Sequence, residues 1–170
     1  MKVSIITVSF NSSKTIADTI ESVLSQDFPD IEYIIVDGGS TDGTVDIIRK
    51  NENRISQWIS EKDQGMYDAM NKGIAMATGD VIGILNSDDV YMNTHVITDL
   101  MHLMKKQNTE VVFADLILVD SSNQNKVIRY YDSGRFHPNK FRFGWMPAHP
   151  TVFVKRELYE RVGKFSTTYQ

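Results

Sequence analysis

Four short apolar runs constrain this 170-residue chain most: Lys2–Val8, Ile31–Val36 (IEYIIV), Val81–Leu85 (VIGIL) and Glu110–Ala114. Each is of strand length and mainly apolar, and the near-continuous apolar character of Ile31–Val36 suits a sheet covered on both faces. Segments of helical period separate them. Ile16, Ile20, Val23 and Leu24 share one face, with Asn11, Ser12 and Ser13 as N-cap candidates. Val45–Lys50 reads as a short helix, Ile55–Ser60 as a weaker third strand, and Met66–Ala77 as a helix stopped by Gly79. Val96, Ile97, Leu100, Met101 and Met104 mark a further helix, capped by Asn93 or Thr94.

Beyond Asp115 the pattern changes. Leu116–Val119 and Lys126–Tyr131 read as strands flanking a polar turn over 121–125. An aromatic, proline-bearing loop follows over 133–150, then a strand at Thr151–Val154 and a short helix at Arg156–Val162. The order predicts one domain, an α/β sandwich whose central sheet is mainly parallel with an antiparallel addition and right-handed crossovers. Eighteen Lys and Arg against 22 Asp and Glu give a net charge of −4, which argues against a general nucleic-acid binder. The absence of cysteine excludes a disulfide scaffold, a thiolate metal site and a Cys nucleophile. No run of about 18 apolar residues is present to span a bilayer. Met1–Phe10 carries no small-residue cleavage site and reads as a buried strand rather than a leader.

The acids are placed with a pattern. Asp37 follows the second strand, Asp63 the third, and Asp88 with Asp89 the fourth. In an open parallel sheet these turns share the edge where ligands bind. Any one such Asp is as readily a turn or cap residue. Two adjacent acids leaving a buried strand are harder to explain, because they repel unless a cation or donors neutralise them. Mg²⁺ or Mn²⁺ answers this, since one or two carboxylates suffice when substrate phosphates complete the shell. There is no G-x-x-x-x-G-K-[ST] loop, and Gly38-Gly39-Ser40-Thr41-Asp42-Gly43 lacks the G-x-G-x-x-G spacing. This turn instead lets backbone pass close to a nucleoside beside Asp37.

Ser4–Asn11 (SIITVSFN), Gln26-Asp27-Phe28, Glu32–Thr44 (EYIIVDGGSTDGT), Ser60–Gly79 (SEKDQGMYDAMNKGIAMATG), Asp80–Tyr91 (DVIGILNSDDVY) and Met146–Gly163 (MPAHPTVFVKRELYERVG) together resemble the inverting glycosyltransferases of family 2. The resemblance covers nearly the whole chain and is greatest to the branch acting in bacterial surface-polysaccharide assembly. It implies the GT-A fold, with residues 1–115 as the nucleotide-sugar-binding half and 116–170 as the acceptor-side half. It further implies that the backbone at Thr7 and Val8 and the Asp37 carboxylate hold the base, with Asp63 near the same nucleoside. Asp88 and Asp89 stand at the family's Asp-x-Asp region, contacting ribose and a Mn²⁺ or Mg²⁺ ion. Asn86 replaces the first acid of that motif, which leaves open which aspartate binds the metal. Lys72 faces either a phosphate or solvent. His149 falls near the donor phosphate or the acceptor. Phe136, Phe141, Phe143 and Trp145 either offer flat faces to a sugar or belong to the core. His95, His102 and His137 read as surface residues.

The implied reaction is attack of an acceptor hydroxyl on C1 of a nucleotide-linked sugar, UDP being favoured by the resemblance alone, with inversion. The implied partners are the donor and a saccharide or lipid-linked acceptor. The implied location is the cytoplasm, with peripheral contact at the inner face of the membrane. The family's general base lies on a segment that would begin at or past Gln170. The chain is therefore expected to be a C-terminally truncated product lacking its base and, through an exposed apolar edge, prone to self-association. Asp115, Asp120 and Asp132 do not occupy the family position. Two other readings remain: a nucleotide-sugar-binding module without catalysis of its own, and a nucleotidyltransferase. The latter is weakened because Val8–Lys14 offers only Lys14 as a phosphate clasp.

Overall fold

The computed structural model describes residues 1–120, 123–134 and 136–168. Its first strand, β1 (Val3–Ser9), is buried at every position because it lies in the middle of the sheet. Alternate side chains serve two cores, Val3 and Ile5 on one face and Ile6 and Val8 on the other. This two-sided burial is why the run shows no apolar–polar alternation, its Ser4, Thr7 and Ser9 being buried with the rest. Around β1 stand β2 (Ile31–Asp37), β3 (Gln57–Ser60), β4 (Val81–Asn86), β5 (Val111–Val112) and, from late in the chain, β8 (Phe153–Lys155), in the order β3-β2-β1-β4-β8-β5. β1 to β4 are parallel. β8 is the antiparallel addition, and it enters between β4 and β5 rather than at an edge.

Helices α1 (Ile16–Leu24), α2 (Thr44–Lys50) and α4 (Val96–Gln107) cover one face through Ile16, Ile20, Val23, Ile48, Ile97, Leu100, Met101 and Met104. Helix α3 (Met66–Met76) covers the other through Ala69, Met70 and Ile74. It approaches β1 so closely that a Cβ on Gly73 would lie 2.3 Å from Ile6 Cγ2. α5 (Arg156–Val162) follows β8 directly, and its Tyr159 packs with Phe165 against the α3 side. β6 (Leu116–Asp120) and β7 (Asn123–Tyr131) form a separate two-stranded sheet. The expected turn over 121–125 falls partly on residues 121 and 122, outside the described residues, as do Tyr169 and Gln170.

Several boundaries differ from the sequence expectation. None of Asn11, Ser12 or Ser13 caps α1; the N-cap is Thr15, without a side-chain bond. The polar residues after β1 instead lace the edge loops together. Asn93 and Thr94 precede the true N-cap of α4, His95, and Asn93 Oδ1 accepts the His95 amide at 2.8 Å. α3 ends at Met76, ahead of Gly79. The eighth strand starts at Phe153, because His149–Thr151 forms a 3₁₀ turn, and Pro138–Phe143 forms another inside the expected loop.

The strand order places a topological switch at β1. The chain moves outward from β1 to β2 and β3, then returns to β4 on the other side. In sheets of this order the ligand site lies beyond the carboxyl ends of the strands flanking the switch, here β1 and β4. β8 runs down from this same edge, so the 149–151 turn is delivered to it as well.

Candidate functional site

The edge is built from the loops after β1, β2, β3 and β4. The first two are stitched by side chains: Asn11 N–H donates to Ser40 Oγ at 2.8 Å, Thr41 N–H to Asn11 Oδ1 at 3.0 Å, and Ser13 N–H to Asp42 Oδ2 at 3.0 Å. Ser12 Oγ and Ser87 Oγ, 2.7 Å apart, tie the β1 loop to the β4 loop. The crevice walls are thus fixed by hydrogen bonds rather than by packing.

Thr7 and Val8 lie inside the ladder, paired on one side with Ile35 and Val36 and on the other with Leu85 and Asn86. The ladder with β2 closes at Ser9 opposite Asp37, and Phe10 is the first residue past it. Phe10 is 65% exposed and lies beside Gly38, where a Cβ would be 3.3 Å from its ring. An exposed phenyl ring at the switch point can stack on a flat ligand. Sequence reasoning passed over it, although it sits within the SIITVSFN stretch. The available signal was an aromatic placed after the first buried strand and before three polar residues.

The carboxylates differ sharply in what surrounds them. Asp37 is fully buried. Its Oδ1 accepts from Ser9 Oγ (3.0 Å) and Ser40 Oγ (2.5 Å). Its Oδ2 accepts from the Gly39 and Ser40 amides (3.1 and 2.9 Å) and from Ser60 Oγ (2.7 Å). Burial works to raise its pKa, but these donors outweigh it and hold the group below the usual carboxylate range. Asp63 is only half-buried. Oδ1 accepts the Gly65 amide at 2.9 Å, and Oδ2 lies 2.5 Å from where a Gly38 Cβ would stand. The absence of a side chain at Gly38 is what lets Asp63 and Phe10 share this corner.

Asp88 is exposed and Asp89 half-buried. Burial, then the Asp88 charge, raises the Asp89 pKa, and the Asn86 Nδ2 bond to Asp89 Oδ2 at 3.2 Å only partly offsets this. Asn86 Oδ1 is buried with no hydrogen-bond partner among the described residues. Among those residues no group of three or more His, Cys, Asp or Glu converges on one point. The donor set present, two carboxylates and an orphaned amide oxygen, is all oxygen. It fits Mg²⁺ or Mn²⁺ of the kind that leaves most of its shell to phosphate and water.

Lys72 ion-pairs with Glu61 (2.8 Å) and Asp68 (3.5 Å) and donates to Lys62 O (3.2 Å). Its charge is committed to the segment leading into Asp63. His149 is solvent-exposed, yet the surrounding protein lowers its pKa by desolvation. Trp145 packs on Phe136 (5.4 Å), which also meets Phe113 (5.1 Å) and Phe141 (5.7 Å) edge-on. Three of the four loop aromatics therefore pack as a satellite cluster, with Phe141 at its exposed margin, and Phe143 projects into solvent at 87% exposure. Asp115 accepts from Tyr130 Oη and from Ser133 N–H and Oγ (2.8 and 2.6 Å). These bonds, that from Ser133 Oγ foremost, lower its pKa and leave it a weak base. His95, although exposed, holds Asp27 Oδ2 at 2.5 Å.

The family model described as "Glycosyl transferase family 2" matches residues 4–163. The chain belongs to this family. Among its relatives, a PGL/p-HBAD biosynthesis glycosyltransferase of Mycobacterium bovis is 26% identical over 98% of this chain and 64% of its own length. An uncharacterised glycosyltransferase of Mycobacterium tuberculosis is 40% identical over 60% of this chain and 39% of its own. The chain thus spans less than two thirds of either family 2 relative. Among solved structures, S. aureus TarS in complex with UDP-GlcNAc superposes with a TM-score of 0.72 and 23% identity, over 95% of this chain and 47% of TarS. The mannosyltransferase PcManGT from Pyrobaculum calidifontis, in complex with GDP-Man and Mn²⁺, gives 0.74 and 21%, over 98% and 48%. At these identities the likeness establishes the GT-A fold for this family 2 chain and nothing finer.

Proposed function

We propose that the chain carries the donor site of a glycosyltransferase that moves a sugar from a nucleoside diphosphate, UDP by preference, to a saccharide or lipid-linked acceptor with inversion. The observation that carries this reading is the uneven satisfaction of the acids at the switch-point edge. Asp63, Asp88 and Asp89 keep acceptor capacity there, while Asp37 spends its own on the loop. Residues 1–115 supply the donor half and 116–170 the acceptor side.

In this reading Phe10 stacks on the base and Asp63 accepts from its edge. Asp37 acts at one remove, holding the Gly39-Ser40 backbone where the nucleoside passes. Thr7 and Val8 support the same strand end from within the sheet, and Lys72 orients the Asp63 segment. Asp88 reaches the ribose, and Asp88 with Asp89 holds a Mn²⁺ or Mg²⁺ ion. That ion, when bound, neutralises charge on the departing diphosphate as a Lewis acid. Trp145 and His149 border the acceptor side. Inversion requires a base that takes the acceptor proton as the hydroxyl attacks C1 and the diphosphate leaves from the opposite side. Asp115 is committed to Ser133 and Tyr130 and does not serve.

Calorimetric titration of UDP, GDP and dTDP tests the reading, with Mn²⁺ and with chelator. One nucleotide should bind in the presence of metal, with at least tenfold loss in Asp88→Asn or Asp89→Asn, the scale of one charged interaction. Metal-independent binding that neither variant weakens would refute it.

A further inference from the structure

We propose that Gln26 and Asp27 are positioning residues for Asp88 and Asp89, because together they clasp the far end of the loop that carries the two acids. The task of the acids themselves rests on the donor reading. Gln26-Asp27-Phe28 is one of the stretches that resemble family 2, although it precedes β2 rather than following a strand. Its polar bonds run to the start of α4. Gln26 is buried. Its Nε2 donates to Asn93 O (2.6 Å) and to Ser22 O (3.1 Å), and its Oε1 accepts the Ile97 amide (3.2 Å). The Asp27 amide donates to Thr94 O (2.9 Å). Asp27 Oδ1 accepts from Thr98 Oγ1 (2.7 Å) and Oδ2 from His95 Nδ1 (2.5 Å).

A helix leaves its first amides without intrahelical partners. His95, the N-cap of α4, makes no side-chain cap bond. Gln26 supplies the missing acceptor from the end of α1, so α4 is capped from about 70 residues upstream. The acid loop is thereby held at both ends by the two flanks of α1. Ser12, ahead of that helix, meets Ser87 Oγ at 2.7 Å, and Gln26 with Asp27, behind it, hold residues 93–98. Between the anchors the Asp89 side chain is bonded to Asn86 alone, and that of Asp88 to nothing, among the described residues. Tyr91 rests on the core there, but its hydroxyl has no partner among those residues. Hydrogen bonds therefore fix the loop only at its ends, while the neighbouring charges of Asp88 and Asp89 push it open. Gln26 carries more of the clasp than Asp27, whose pair with His95 is open to water on both sides.

Gln26→Met keeps the length of the side chain and removes all three of its bonds. Hydrogen exchange of the ligand-free chain should show residues 87–92 exchanging about fivefold faster or more, with residues 57–77 unchanged. Calorimetry should show that the gain in UDP affinity on replacing chelator by Mn²⁺ shrinks about fivefold, as when the competent loop population falls to about a fifth. UDP affinity in chelator should stay within about twofold, which a general loss of structure would not allow. Asp27→Asn, which keeps the backbone bond to Thr94, should change either quantity by less than about twofold. Circular dichroism checks that both variants are folded. Unchanged exchange over 87–92 in Gln26→Met overturns the clasp. So does a metal gain equal to that of the native chain, or an equal fall of affinity with Mn²⁺ and with chelator. Native binding indifferent to metal is a different failure: it refutes the donor reading and takes the purpose of the clasp with it, even where exchange responds as expected.

Discussion

Gly38→Ala separates nucleotide binding from stability. Gly38 does not have a left-handed φ, so alanine is allowed by the backbone, and its amide bond to Ser9 O (2.8 Å) is retained. The added Cβ, however, would meet Asp63 Oδ2 at 2.5 Å, Asp63 Cγ at 3.2 Å and the Phe10 ring at 3.3 Å. A relaxed carbon–oxygen approach is about 3.3 Å, so the carboxylate must retreat by about 0.8 Å. The end of a short, half-exposed side chain can do this at a rotamer cost of about 0.5–1.5 kcal/mol. The alanine recovers about 0.4–1 kcal/mol by restricting the unfolded chain. Stability should therefore change by less than about 1 kcal/mol. Asp63, displaced from the base edge, loses a charged hydrogen bond of about 1.5–3 kcal/mol, which weakens nucleotide binding about 10- to 100-fold. Calorimetry against the preferred nucleotide, with a urea melt on the same preparation, reads both quantities. Unchanged nucleotide affinity in a folded Gly38→Ala protein would refute the placement of Asp63 and Phe10 at the base.

Gly73→Ala should behave in the opposite way. Its Cβ would collide with Ile6 Cγ2 at 2.3 Å between α3 and β1, costing about 1–3 kcal/mol in a urea melt while the folded fraction binds nucleotide normally. Asp37→Asn should cost about 1–3 kcal/mol in the same melt, because an amide turned toward the fixed Gly39 and Ser40 amides is repelled and must place its NH₂ against the rotatable Ser9 and Ser40 hydroxyls instead. Glu32, buried at the opposite end of the sheet, predicts an acid-sensitive component of stability. Burial alone would raise its pKa, but Lys2, Ser4 and Thr78 hold it down at about 2 against an ordinary 4.5. The group contributes fully above about pH 4.5, and its contribution fades as pH falls toward 2, a change of about 3 kcal/mol. Urea melts across that window should show the loss in the native chain and much less of it in Glu32→Gln.

The central strands were legible because burial on two faces leaves a local trace: β1, β2 and β4 are mainly apolar, with few polar interruptions such as Ser4, Thr7 and Glu32, and α1 and α4 keep a clear helical period. β8 left little trace, since three residues carry no period, and its insertion between β4 and β5 depends on a partner some 70 residues distant. The acids were found for a similar local reason, each following a strand. Their division of labour was not, because Ser9 and Ser60, which help to fill Asp37, come from other strands. Lys72 illustrates both cases. Its pair with Asp68 is one helical turn long and readable, whereas its closer pair with Glu61 crosses from the β3 loop. Phe10 was missed for want of an expectation that an aromatic should stay exposed at a strand end.

What ranks these acids is the supply of fixed donors around each one. A carboxylate has about four acceptor positions, and Asp37 receives five donors from the protein itself. In the proposed reading it therefore serves a ligand through the Gly39-Ser40 backbone that it holds. Asp63 receives one amide, and the Asp88–Asp89 pair receives the Asn86 amide group beside an oxygen that has no partner among the described residues. Charge left unsatisfied at a switch point costs stability unless something bound there compensates. The order of effects should therefore invert between two assays on the same variants. Asp37→Asn should lead in the loss of folding stability, and Asp88→Asn and Asp89→Asn should lead in the loss of nucleotide affinity while holding or raising stability without metal, since each relieves a repulsion. If Asp88→Asn and Asp89→Asn instead destabilise the metal-free protein more than Asp37→Asn does, the pair is structural, and the donor site lies elsewhere on the edge.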